Sequence, residues 1–203
     1  MKRKKGTALI LAGLMLLLAA GGLTAYNFSE DARAQNQSLQ TLGFVAEAIT
    51  RNAQEAESSA EPVPTDAVPE MPVVEMDGDY YVGVIEIPSQ NITLPVLADW
   101  SYAALKKAPC RYAGSYFTDD LVLCAHNYRS HFNALRWVDM GAEVFFTTAA
   151  GETIRYVIAN RETLQPNENE RLVTPGEDWD LTLFTCFVGG GTRCVIRCLR
   201  AEA

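Results

Sequence analysis

The feature that most constrains the fold is an apolar stretch near the C-terminal end that three consecutive glycines divide. Residues 181–186 alternate between two faces, as the side chains of a β-strand do. The glycines at 189–191 permit a turn, because they have no Cβ to restrict the backbone. A second strand is predicted after them, with Val195, Ile196 and Leu199 among its apolar residues. The sequence therefore predicts a β-hairpin in which Cys186 ends one strand and Arg193 begins the next.

This hairpin would bring a thiol close to a permanent cation. A cysteine at a strand end is most often a small apolar core residue, so Cys186 alone is weak evidence for chemistry. Two further features favour a reactive thiol. A cation such as Arg193 favours the thiolate, and the two histidines of the chain, His126 and His131, lie together upstream, where one could act as a base.

Three motifs resemble those of one family. Leu181-Thr-Leu-Phe-Thr-Cys186 is similar to the Thr-Leu-x-Thr-Cys signature of sortases, the cysteine transpeptidases of Gram-positive cell surfaces. Leu121-Val-Leu-Cys-Ala-His-Asn127 resembles their histidine motif, and Thr192-Arg-Cys-Val-Ile-Arg197 resembles the strand that carries their active-site arginine. The motifs occur in the family's order, and the likeness spans roughly residues 78–203.

The resemblance implies a function for four residues. Cys186 would be the nucleophile that forms a thioacyl intermediate, and His126 would be the general acid and base. Arg193, which stays protonated, would fix the substrate backbone or stabilise the tetrahedral intermediate. Thr185 would help to position the substrate, although its place in the strand also suits a core residue. The Cys and His spacings match no zinc signature, so we assign no metal and expect no cofactor.

The same resemblance implies the partners. Sortases cleave a Leu-Pro-x-Thr-Gly-like sorting signal in exported proteins and transfer the acyl group to an amine of a peptidoglycan precursor or of a pilin. The motifs leave the sortase class and the acceptor open. Two alternatives remain from the residues alone: a membrane-anchored cysteine hydrolase, in which water is the acceptor, and a non-catalytic anchored β-domain in which Cys186 is buried.

The N-terminal segment predicts a membrane anchor. Residues 7–26 carry no charge, and twenty helical residues span about 30 Å, the thickness of the hydrocarbon core. The basic residues 2–5 directly before the span predict a cytoplasmic N-terminus and an extracellular catalytic domain. A cleaved signal peptide is the alternative, because small residues at 19–22 could form a cleavage site. Outside residues 2–5 the chain is strongly acidic, so we expect no nucleic-acid partner.

The sequence as a whole predicts three regions, which are residues 1–26, 27–77 and 78–203. The second is interpreted as a spacer that contains a short amphipathic helix and, at 61–72, a proline-rich linker. The third has short β-rich runs with few helical segments, which predicts an all-β protein. Together with the resemblance, this predicts the fold class: a closed sortase-like β-barrel with a few short helices, preceded by a transmembrane helix and a linker.

Several residues of the same types are assigned other roles. Arg197 is the alternative to Arg193, but it lies further from the turn on the same strand face. His131 is outside the family's motif and is interpreted as a surface or loop residue. The pair Cys110 and Cys124 is expected to fill core space. Cys194 could approach Cys186 across the hairpin, so the disulfide state stays open.

Overall fold

The structure is a computed structural model that describes residues 2–58, 69–173, 179–187 and 190–201. Within these ranges nine strands form one sheet in the order β1-β2-β3-β4-β5-β8-β9-β7-β6. The strands are β1 (Val74–Met76), β2 (Asp79–Ile87), β3 (Ile92–Leu97), β4 (Cys110–Ala113), β5 (Leu121–Ala125), β6 (Glu143–Thr148), β7 (Thr153–Leu164), β8 (Leu181–Cys186) and β9 (Arg193–Arg200). Because β6 also pairs with β2, strands β2 to β9 close into an eight-strand barrel, as the sequence predicted.

The helical segments are few, and most are short. They are α1 (Lys2–Ser58), α2 (Glu170–Val173) and the 3₁₀ segments Pro88–Gln90, Ala104–Lys106 and Phe132–Trp137. Residues 61–68 of the predicted linker lie outside the described residues. The segment 174–178 of the loop before β8 also lies outside them.

The apolar residues form two clusters, one on each side of the barrel wall. The inner cluster fills the barrel and includes Leu121, Phe146 and Tyr156. The outer cluster lies on the other face of the wall and includes Phe184 together with Val45 of α1. Strands β5 and β8 are buried on both faces because they separate these clusters, and this explains why their sequences read as nearly continuous apolar runs.

Helix α1 belongs to two compact units, which divide after Arg33. Residues from Ala34 onward are in the same unit as the barrel, and the buried side chains of Ala34, Val45 and Ile49 pack within it. The approach is close at Gly151 in the β6–β7 turn, where an added Cβ would lie 2.4 Å from Cβ of Ala53. The amphipathic part of the predicted spacer is therefore a packed helix, because its apolar stripe covers the outer cluster.

The N-terminal unit, up to Arg33, is helical through its described residues. Its apolar side chains are exposed, among them those of Leu16 and Leu23. By length and composition, α1 can cross a membrane. The prediction of an N-terminal segment long and apolar enough to span a membrane is therefore confirmed.

Two pairings position the loops described next. Strands β5 and β8 run parallel, and Ala125 of β5 is the register partner of Thr185 of β8. Strands β8 and β9 form the predicted hairpin, in which Cys186 is the register partner of Arg193. The turn between them is closed by backbone hydrogen bonds, including one from the N–H of Phe187 to the carbonyl of Thr192 at 2.9 Å.

Candidate active site

The ends of three adjacent strands bring a histidine, a cysteine and an arginine to one edge of the barrel. His126 follows the last residue of β5, and Cys186 follows Thr185, the partner of that residue. Arg193 is directly opposite Cys186. Neighbouring strands lie about 4.8 Å apart, so the three residues leave the sheet side by side.

The cysteines differ in exposure. All five are free thiols, and Cys186 alone is exposed; Cys110, Cys124, Cys194 and Cys198 are buried. Burial raises the pKa of each of the four buried thiols, to about 12 for Cys110, so they stay protonated at neutral pH. Cys194 is the register partner of Thr185 and therefore lies on the face opposite to Cys186, which separates the two sulfurs.

His126 is half-buried at the start of the loop after β5. Its pKa is lowered, first by desolvation and second by the positive charge of Lys106. The neutral imidazole is therefore favoured. The ring packs against that of Tyr128, with 4.9 Å between the ring centroids. The backbone carbonyl of His126 accepts a hydrogen bond from the N–H of Phe132 at 3.3 Å, which closes the loop.

Arg193 is half-buried and is held by the segment that follows β7. Its Nη1 donates a hydrogen bond to the backbone carbonyl of Gln165 at 3.2 Å. The N–H of Gln165 in turn donates to Oε2 of Glu168 at 2.7 Å. The guanidinium uses one of its five N–H donors in the bond to Gln165, so its position at the edge depends on this loop.

Arg197 is in a different environment. Its side chain is buried, and its register partner is Thr182, four positions along the hairpin from the Cys186–Arg193 pair. Nε donates to Oε1 of Glu162 at 2.9 Å, Nη1 donates to Oγ1 of Thr182 at 2.9 Å, and Nη2 donates to the carbonyl of Arg171. Arg197 thus lies further from Cys186, as its sequence position predicted, and its guanidinium binds structural partners.

Thr185 has a structural contact. Its side chain is 1% exposed, and its Oγ1 donates a hydrogen bond to the carbonyl of Ala125 at 2.9 Å. This bond joins the two strand ends that lead into His126 and Cys186. A contact of Thr185 with substrate stays a prediction.

His131 was interpreted as a surface or loop residue: it lies in the loop after β5, but it is not at the surface. Its side chain is 0% exposed, and its Nε2 lies 3.3 Å from Oγ of Ser38 on α1. The reason is long-range: α1 packs against this loop, and its buried Ser38, 93 positions away in the sequence, contacts the imidazole. Sequence reasoning also missed Ser38 and Tyr128. The signal for Ser38 is its position four residues after Ala34 and seven before Val45, on the buried stripe of α1.

Within the part of the chain that the structure describes, no three His, Cys, Asp or Glu side chains group in a way that could hold an ion. The expectation that no cofactor is needed stays a prediction.

Comparisons with known proteins point to one family. The family model described as Sortase domain matches residues 85–201. Sortase C1 from Streptococcus suis is similar in structure, with 28% identity, coverage of 61% of this chain and 74% of that chain, and a TM-score of 0.52. No curated protein matches the chain.

Two further solved structures are alike in fold. The first is sortase C from Clostridium perfringens, solved with the C-terminal cell wall sorting motif, with 22% identity, coverage of 81% and 91%, and a TM-score of 0.54. The second is a Clostridium perfringens sortase D5 transpeptidase, with 14% identity, coverage of 82% and 99%, and a TM-score of 0.60.

Proposed function

The chain belongs to the sortase family of cysteine transpeptidases, and from that premise we propose that it cleaves a Leu-Pro-x-Thr-Gly-like sorting signal in exported proteins and transfers the acyl group to a cell-wall or pilin amine. The observation that carries the proposal is the register of β5, β8 and β9. It aligns His126, the exposed Cys186 and Arg193 at one edge of the barrel.

The first half of the reaction is acylation of Cys186. The sulfur attacks the carbonyl carbon of the threonine in the signal, and its proton passes to His126. The tetrahedral intermediate then collapses, the peptide C–N bond breaks, and His126 gives the proton to the departing amine. Because the environment lowers the pKa of His126, its imidazolium is a stronger acid than an ordinary one, which favours this second transfer.

Arg193 acts on the charge that develops at the carbonyl. As register partner of Cys186 it is at the same edge as the reacting carbon, and its bond to Gln165 orients the guanidinium. One preorganised donor to a developing oxyanion changes the rate by about 100- to 1000-fold. In the second half of the reaction an amine attacks the carbonyl carbon of the thioester and gives a proton to His126. The C–S bond then breaks, and His126 returns the proton to the sulfur of Cys186.

The location of the enzyme completes the proposal. The apolar part of α1 would anchor the chain in the plasma membrane, with residues 2–5 on the cytoplasmic side and the barrel outside. Exported proteins that bear a sorting signal and amines of peptidoglycan precursors or pilins would meet the enzyme there. The sorting motif solved with the Clostridium perfringens sortase C supports this class of substrate.

The test uses full-length protein in detergent, a quenched sorting-signal peptide, and mass spectrometry with and without an added amine. We expect an acyl adduct on Cys186 and a new peptide–amine product. Cys186→Ala should give neither. Release of only the hydrolysed peptide at every amine concentration would mean that the protein is a hydrolase. The absence of both adduct and cleavage over a panel of signals would overturn the proposal.

A further inference from the structure

A buried hydroxyl links α1 to the loop that carries His126. Ser38 is 2% exposed and has two polar contacts. Its Oγ donates to the carbonyl of Lys107 at 2.7 Å and lies 3.3 Å from Nε2 of His131. A hydroxyl has one hydrogen, and the Lys107 carbonyl takes it. In the second contact, therefore, Nε2–H of His131 donates to Ser38, which assigns the proton of this imidazole to Nε2.

His131 is connected to His126 through the aromatic ring of Tyr128. The ring of Tyr128 lies between the two imidazoles, with centroid distances of 4.9 Å to His126 and 5.4 Å to His131. The backbone N–H of His131 also donates to the carbonyl of Tyr128 at 3.0 Å. A displacement of His131 would therefore be transmitted to the ring that packs on His126.

Ser38 also holds the segment between β3 and β4. Lys107, whose carbonyl Ser38 binds, directly follows Lys106, the residue whose charge acts on His126. Lys107 is fixed a second time by an ion pair between its Nζ and Oδ2 of Asp79 at 2.6 Å. One hydroxyl thus binds both segments that influence His126, which come from different parts of the sequence.

We propose that Ser38 is a positioning residue for His126, and that the segment of α1 packed on the barrel is in this way part of the catalytic apparatus. The inference rests on the proposed role of His126 as acid and base. Small displacements of a catalytic group have large effects, since a shift of about 1 Å can lower the rate about 100-fold. If Ser38 served only to satisfy buried polar groups, its loss would lower stability and leave the chemistry unchanged.

The test compares Ser38→Ala with Asn52→Ala. Asn52 is also on α1, and its Nδ2 donates to the carbonyl of Ala149 in the β6–β7 turn at 2.9 Å, so each substitution removes a helix-to-barrel hydrogen bond. We expect both variants to have a lower Tm. Only Ser38→Ala should lower kcat, by roughly 10- to 100-fold with a small change in KM. Equal effects of the two substitutions on kcat would overturn the inference.

A second measurement does not depend on activity. The titration of His126 is followed by NMR in a Cys186→Ala background, with and without Ser38→Ala. Loosening of the Lys106 segment and greater solvation of the imidazole should both raise the pKa of His126 toward its ordinary value. An unchanged titration would overturn the inference even if the proposed reaction were not observed. A raised pKa without any transpeptidation would instead contradict the proposed function.

The other charged or titratable groups around His126 stay in place in this comparison. They are Lys106, Tyr128 and His131, which the contacts above connect to His126, and Cys186 and Arg193, which the register brings to the same edge. Ser38→Ala removes none of them. If Ser38→Ala proves too unstable to study, Tyr128→Leu and Tyr128→Phe test the aromatic connection between His131 and His126 directly. Tyr128→Phe keeps the ring and should keep most of kcat, whereas Tyr128→Leu should lose it. Equal kcat values for these two would overturn the proposed connection.

Discussion

The edge of the barrel and the buried region beneath it contain the same types of residue in different environments. At the edge are Cys186, Arg193 and His126, which are exposed or half-buried. Their buried counterparts are Cys194, Arg197 and His131. Residue type and sequence proximity therefore do not decide which of these side chains is exposed. For the cysteines and arginines of the hairpin, the position in the strand register decides the exposure. Of the histidines, the buried His131 is the one that contacts α1, through Ser38.

The cysteines give the largest expected difference. Cys186→Ala should lower the rate of transpeptidation by roughly 10⁴- to 10⁶-fold, because no thiol remains to attack the substrate carbonyl. It should leave the Tm nearly unchanged. Cys194→Ala should keep kcat but lower the Tm, because it leaves a small cavity in the inner cluster. Peptide-cleavage kinetics and thermal unfolding decide this. Residual activity of Cys186→Ala near that of Cys194→Ala would place the nucleophile elsewhere.

The arginines give the next difference. Arg193→Ala should lower the rate by about 100- to 1000-fold, or roughly 3 to 4 kcal/mol, while the protein remains folded. Arg193→Lys should recover only part of this, because lysine lacks the planar fork. Arg197→Ala should instead destabilise the protein by roughly 1 to 3 kcal/mol, because Thr182 and the carbonyl of Arg171 lose a buried donor and Glu162 keeps only its ion pair with Arg171.

Amine-dependent cleavage, corrected for the folded fraction by circular dichroism, separates these two outcomes. A larger rate loss in folded Arg197→Ala than in Arg193→Ala would contradict the assigned roles. It would also mean that the hairpin register differs from the pairing of Cys186 with Arg193.

The alkylation rates of the five cysteines distinguish the exposed thiol from the buried ones without any substitution. Brief treatment of native protein with iodoacetamide should modify Cys186 at least about tenfold faster than the four buried cysteines, which react only when the structure opens. Peptide mapping after quenching identifies the modified sites. Preferential labelling of Cys110 or Cys124 would show that the outer cluster opens readily, and would weaken the argument from exposure.

The smallest expected effect is on the pH dependence of stability. The pKa of His126 is lower in the folded state than in the unfolded chain, so the unfolded chain binds more protons as the pH falls. Its contribution to stability is therefore fully present above the unfolded pKa of about 6.5 and is lost as the pH falls toward the folded pKa. In His126→Gln the free energy of unfolding, measured in urea, should change less between about pH 7 and pH 5 than it does in the parent chain. An unchanged slope would assign the acid sensitivity to other groups.

Local sequence determined much of the site. The alternation at 181–186 and the glycines at 189–191 specify the hairpin, because strand periodicity and turn chemistry act over a few residues. The positions of Cys186 and Arg193 in that hairpin therefore followed from the sequence, as did the apolar span of α1. The closed barrel also followed, from the short apolar runs and the resemblance together.

Tertiary structure decided the rest. The parallel pairing of β5 with β8 brings His126 beside Cys186 across sixty positions, and no local pattern encodes which strands will be neighbours. Tertiary structure also decided that His131 is buried and that Ser38 contacts both His131 and Lys107. The first contact joins residues 93 positions apart in the sequence, and the second joins residues 69 positions apart. Burial depends on which surface packs against which, and the free energy of that choice is a property of the whole fold.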